Sequence, residues 1–140
     1  MARNDEQRIL SLEKEGALLG SIVVDQSLQA GERELAEQFH WIADQLVQTL
    51  REETPAKRRR LRQETSKRTK ELGDVVRAKH IQHHLPFSCI DDYDECVRGR
   101  KKQKKSPYLC SVALFICLAR SMTALLAAIA AAAKAGGLLG

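Results

Sequence analysis

Leu35-Ala36-Glu37-Gln38-Phe39-His40-Trp41-Ile42-Ala43-Asp44-Gln45-Leu46 is the stretch on which the reading of this chain turns. Leu35, Phe39, Ile42 and Leu46 recur at spacings of four, three and four. At about 100° per residue they share one narrow stripe of an α-helix. Ala43 lies beside that stripe, Asp44 further round, and Trp41 on the other side. Such a stripe either packs into the protein's own core or lies in the groove of another protein.

Working outward, the helix that carries the stripe is expected to begin between Ser27 and Gly31 and to run to about Leu50. Before it, residues 4–19 read as a first helix with Asn4 as cap and Gln7 three residues on. Its apolar face, Ile9, Leu12 and Leu19, is weak and is interrupted by Gly16, and Gly20 to Asp25 reads as a short extended or linking piece. After it, Thr54-Pro55 reads as a cap followed by a first-turn proline, opening a charged helix to about Lys79. That segment has too little apolar content for a core face, and Glu64 with Arg68 is an expected i,i+4 pair. Residues 80–97, with His80, His83, His84, Pro86, Cys89 and the acidic cluster Asp91 to Glu95, read as a loop.

The run Arg98-Gly99-Arg100-Lys101-Lys102-Gln103-Lys104-Lys105 holds six bases in eight residues. Directly after it, Tyr108 to Ala133 gives 26 residues of almost unbroken apolar character. As a helix this tail would be roughly 39 Å long, against ~30 Å of bilayer hydrocarbon. Arg98, Arg100, Lys101, Lys102, Lys104 and Lys105 are then the expected membrane flank, attracted by anionic lipid. Arg120 opposes insertion, because an arginine at the centre of a span costs about 2.5–3.5 kcal/mol. Nine strongly apolar residues between Leu109 and Ile129 return about 3–5 kcal/mol on the same scale.

At 140 residues the chain suits one domain, and much of its 44% apolar content is alanine and leucine in the tail. With the tail set aside little remains to build a core, so loosely packed helices are expected. Residues 1–53 hold 5 Lys+Arg and 11 Asp+Glu; residues 54–140 hold 18 and 7. An acidic recognition half and a basic half that meets anionic lipid or nucleic acid are implied. The polar N-terminus has no signal-peptide core, so a reducing compartment is the default for Cys89, Cys96, Cys110 and Cys117 and a disulfide framework is not expected.

Leu35-Ala36-x-x-Phe39-x-x-Ile42-Ala43-Asp44-x-Leu46 resembles the BH3 motif of the Bcl-2 family: four apolar anchors, a small residue, and an aspartate before the last anchor. Phe39 departs from the leucine usual at the second anchor. The resemblance implies a BH3-only-like regulator of apoptosis. Leu35, Phe39, Ile42 and Leu46 would fill the groove of a Bcl-2-like partner, Ala36 and Ala43 would be small contacts, and Asp44 would pair with a groove arginine. The apolar tail fits the family's layout and implies the cytosolic face of an intracellular membrane, such as the mitochondrial outer membrane.

Other readings rest on weaker patterns. Lys57-Arg58-Arg59-Arg60-Leu61-Arg62 is the type of run seen in nuclear-import signals and nucleic-acid patches, but no aromatic residues are interleaved for base stacking. A basic nucleic-acid-binding or viral accessory protein, nuclear in location, is therefore the secondary reading. A membrane protein that oligomerises through its Ala-rich tail is another. The spacings of His80, His83, His84, Cys89 and Cys96 match no standard zinc pattern, so neither metal nor cofactor is expected. No nucleophile–base arrangement marks an enzyme or a small-molecule substrate. The expected fold is all-α: a few extended amphipathic helices with disordered linkers and a C-terminal hydrophobic helix. Its organisation is an acidic region 1–53, a basic region 54–107 and a membrane-anchor segment 108–140.

Overall fold

Gly31 makes the first reversal of the chain. Its φ of +77° is open to glycine without strain. The Glu32 N–H bonds to the Ser27 carbonyl at 2.8 Å and the Gly31 N–H to that of Leu28 at 3.1 Å, a Schellman ending. This is one junction in a computed structural model that describes residues 2–78 and 88–139. Five helices occur among them: α1 (Ala2–Gln29), α2 (Arg33–Arg51), α3 (Pro55–Ala78), α4 (Cys89–Lys102) and α5 (Tyr108–Leu139). The fold is all-α with a C-terminal apolar helix, as the sequence implies.

Side-chain pairings fix the directions. Leu46 faces Gly16 and Ala43 faces Gly20, so α2 runs antiparallel to α1. Gln45 meets Glu64 and Trp41 meets Arg68, so α3 turns back again. Glu13 with Tyr108 and Gly20 with Phe115 set α5 parallel to α1. The result is a bundle of α1, α2, α3 and α5, with α4 laid along α5.

Several expectations change. First, α1 runs unbroken to Gln29. The tract from Gly20 to Val24 is weak in helix propensity, but packing decides: Gly20 and Val23 are interior residues. A Cβ built on Gly20 would lie 2.8 Å from the Ala43 Cβ and 2.9 Å from the Phe115 ring, so this glycine is a point of close helix approach. Second, residues 89–97 are helical. Asp91 and Asp92 sit in the first turn of α4 and Arg100, Lys101 and Lys102 in its last, the arrangement a helix dipole favours. His80, His83, His84 and Pro86 lie outside the described residues.

Third, the cysteines are paired. Cys89 bonds Cys117 and Cys96 bonds Cys110. Within each helix the two cysteines are seven residues apart, two turns, and share a face. Antiparallel packing of α4 on α5 therefore brings both pairs together at once. This corrects the expectation that the four cysteines form no disulfide framework.

The core also has a different source from the one composition suggests. It is the tail that fills the bundle: Leu109, Val112, Leu114, Phe115, Ile116, Leu118, Ala119 and Met122 pack with Phe39, Ile42, Leu46, Leu72 and Val76. Even α3 contributes a buried line of Thr65, Thr69, Leu72, Gly73 and Val76, its threonines returning their hydroxyls to carbonyls one turn back. Trp41, off the α2 stripe, lies under the Arg68 guanidinium at 4.5 Å. Arg68 pairs with Glu71, and the Glu64 carboxylate accepts from Gln45 instead of meeting Arg68.

Gly20→Ala should destabilise the bundle by about 1–3 kcal/mol through overpacking, although alanine is the better helix former by about 1 kcal/mol. Gly99→Ala in α4, where a Cβ meets nothing within 4 Å, should instead gain up to about 1 kcal/mol. Urea midpoints of the two variants will read the difference in sign. Mass mapping of a non-reduced digest should recover Cys89–Cys117 and Cys96–Cys110 and no free thiol.

Candidate functional site

The α2 stripe is interior. Leu35, Phe39, Ile42 and Leu46 are all 0% exposed, and Ala36 and Ala43 are buried with them. Phe39 packs on Phe115 with ring centroids 5.3 Å apart. Asp44 is exposed, and its carboxylate accepts a hydrogen bond from Gln48 at 2.8 Å. The fold thus keeps the motif residues on one helix and turns their apolar face inward against α1 and α5.

The basic residues have a different fate. The runs around residues 57–62 and 98–105 are some forty residues apart in sequence, yet both turns that carry them, α2–α3 and α4–α5, lie at the end of the bundle where α1 begins. There Arg58, Arg59, Arg62, Arg100 and Lys105 line one cleft of about 760 Å³, together with Asp5, Glu6, Ile9 and Tyr108. Lys104 holds φ at +56°, ending α4 in the manner usual for glycine. Arg98, Lys101, Lys102 and Lys104 are exposed on the same turn region.

A buried charge network stands behind the cleft. Glu13 is fully buried on α1. It accepts from Arg62 Nε at 3.2 Å and Arg62 Nη2 at 3.1 Å, and from the Tyr108 hydroxyl at 2.5 Å. Arg62 also reaches Glu6 at 2.9 and 3.3 Å. Burial opposes the charge on Arg62, but its hydrogen bonds to Glu6 and Glu13 outweigh it and hold the guanidinium above its ordinary range. Arg100 donates to both Asp5 oxygens, at 3.0 and 3.4 Å, and to the Ser106 carbonyl at 2.8 Å. Its hydrogen bond holds the Asp5 carboxyl below the usual carboxylate range, against a smaller opposing effect of desolvation. Arg58 donates from Nε and Nη2 to the Glu52 carbonyl.

The exposed large apolar side chains lie away from the basic cleft. Leu18, Ile22 and Leu28 are exposed at 66%, 41% and 56%, all on the second half of α1. The α1–α5 register puts the end of α1 level with about Leu126, and α5 continues to Leu139 as roughly 20 Å of further helix. Ala127, Ala128 and Ala131 on that extension are exposed. Tyr108–Ala128 is long and apolar enough to cross a membrane, and 67% of its most apolar stretch is buried inside the bundle. Arg120 points outward and forms an ion pair with Glu15 of α1. The expected membrane flank, Arg98 to Lys105, therefore stands at the far end of the bundle from the exposed part of α5.

Sequence reasoning passed over Glu13 and Tyr108. The signal was present: Ile9, Glu13, Gly16, Gly20, Val23 and Ser27 recur at alternating spacings of four and three, so a carboxylate occupies an interior position of the α1 stripe. No protein-family model, curated protein or solved structure matches the chain.

Arg62→Met should cost about 3–5 kcal/mol, since it leaves the Glu13 carboxylate buried without its cation. Arg59→Gln, at an exposed position in no ion pair among the described residues, should stay within about 0.5 kcal/mol of the parent. Denaturant titrations compare the two directly.

Proposed function

We propose that the protein is a membrane-attached helical bundle, held to lipid by its apolar end and directing its basic end away from the bilayer. The observation that carries this reading is the placement of exposed apolar surface: Leu18, Ile22 and Leu28, the exposed large apolar side chains among the described residues, lie on the half of α1 that leads toward the projecting part of α5, with Asp25 and Arg33 exposed beside them. Exposed apolar side chains of this kind, together with a projecting Ala-rich helix, are suited to the interfacial region of a bilayer. Attachment by the far part of α5 leaves the core half of that helix in the bundle, where Arg120 keeps its partner Glu15. The disulfides favour an oxidising side of the membrane over the cytosolic face.

Recognition of a Bcl-2-like groove by α2 asks more of the molecule. Baring four buried large side chains forfeits about 1.5–3 kcal/mol each, which together rivals the whole stability of a domain, about 5–15 kcal/mol. That reading applies to a form in which α2 has left α1 and α5, and the folded bundle supports the membrane reading better.

The test is flotation of the full chain with neutral phosphatidylcholine vesicles at high salt. Co-flotation is expected, and Leu18→Ser/Ile22→Ser/Leu28→Ser should reduce it several-fold without unfolding, because these side chains are exposed. Failure to float on neutral lipid, or attachment that requires anionic lipid and vanishes with salt, would transfer the role to the basic end and overturn the proposal.

A further inference from the structure

We propose that the cleft between the α2–α3 and α4–α5 turns binds a compact polyanion carrying at least two phosphoryl groups. This goes beyond membrane attachment and does not depend on it. The fold gathers Arg58, Arg59, Arg62, Arg100 and Lys105 around one concavity from two sequence runs that neither spacing nor composition connects. Its volume of about 760 Å³ falls within the range of small-ligand sites, about 300–1,000 Å³.

The charges do not cancel. Asp5, Glu6 and the buried Glu13 offset three of the five cations, leaving an excess of two for a ligand to neutralise. The acids also do a second job, because they orient the guanidinium planes. Arg100 is clamped between Asp5 and the Ser106 carbonyl, yet one N–H on each terminal nitrogen remains uncommitted. Arg58 is held through Nε and Nη2 to the Glu52 carbonyl and keeps Nη1 wholly uncommitted. Arg59 and Lys105 enter no ion pair among the described residues. The Nη1/Nη2 edge left open on Arg58 matches the bidentate geometry of phosphoryl oxygens, and the single N–H groups left on Arg100 and the exposed Arg59 and Lys105 add further donors.

The shape favours a small ligand over a nucleic acid. A duplex presents its phosphates on a convex surface and is met by spread cations rather than by a cleft. The one ring at the cleft, Tyr108, is 4% exposed and engaged with Glu13, so it offers no face for base stacking.

The experiment uses the full chain at low ionic strength and titrates inorganic phosphate, pyrophosphate and tripolyphosphate by calorimetry. Tripolyphosphate is expected to bind at least about tenfold more tightly than phosphate, and Arg59→Gln/Lys105→Gln to weaken it by about tenfold or more. These two side chains hold no structural bond, so the double variant should keep the parent's helical circular dichroism and denaturation midpoint. A parallel arm uses phosphatidylcholine vesicles with and without a phosphorylated inositol lipid. Binding that only the lipid-borne phosphates elicit, and that the double variant loses, assigns the ligand to a headgroup; binding of free tripolyphosphate assigns it to a soluble compound. The proposal is overturned by absence of binding in both arms up to about 1 mM or by binding that the double variant leaves unchanged. It is equally overturned by a DNA duplex that binds tightly while tripolyphosphate fails to compete.

Discussion

Phe115 seated over Gly20 and against Phe39 is the contact from which the rest of the structure follows. It joins three helices at one point. Gly20 lacks the Cβ that would strike both Ala43 and Phe115, so α1 can approach α2 and α5 together. Once Phe115 is there, the stripe of α2 has a partner inside the chain and α5 becomes the spine of the bundle. The apolar tail ceases to be an appendage. It provides the burial that the charged middle of the chain cannot supply, at about 25 cal/mol for each Å² removed from water.

The register set at that contact also determines the polarity of the molecule. With α5 parallel to α1, Tyr108 falls beside Glu13, and Arg62 is drawn in to satisfy the carboxylate. The buried acid thereby anchors α3 to α1 and α5 at the same end where the two basic runs emerge. Most of the cations remain in water around those turns, where their mutual repulsion is screened. Toward the other end Leu18, Ile22 and Leu28 stay exposed on α1, with the charged Asp25, Arg33 and Arg77 exposed among them. The basic end and the separation of the projecting part of α5 from it are consequences of one packing register, although in the sequence the basic run and the apolar tail are adjacent.

Local signals made the α2 helix, the Pro55 start of α3 and the apolar character of α5 legible, since these rest on spacing, a single turn residue and an apolar run. The continuation of α1 through Gly20 to Val24 was not, because weak propensity was overruled by Phe115, a residue ninety-five positions away. The α4 helix was hidden for a related reason: its acidic start and basic end look like a polar loop until its cysteine face is paired with that of α5. Of the candidate sites, the α2 stripe was visible as a stripe, but its destination was not, since an inward and an outward stripe have the same spacing. The cleft could not be read at all, because it depends on the α4–α5 turn folding back beside α3.

Adjacency of basic run and tail would make a tail anchor only if α5 entered the bilayer from Tyr108 onward. The bundle makes that route costly. Cys110 and Cys117 would draw α4 along through their disulfides, bringing Asp91, Asp92, Asp94 and Arg98 toward the hydrocarbon at up to about 2.5–3.5 kcal/mol for each charge carried to its centre. Withdrawal of α5 would also strip the Tyr108 hydroxyl from Glu13 and open the seat of Phe115 on Gly20. Insertion limited to the stretch beyond Leu126 disturbs none of these contacts. Roughly thirteen residues of helix, Lys134 among them, are too short to span, so membrane attachment of the kind proposed would preserve the core only by stopping at a single leaflet.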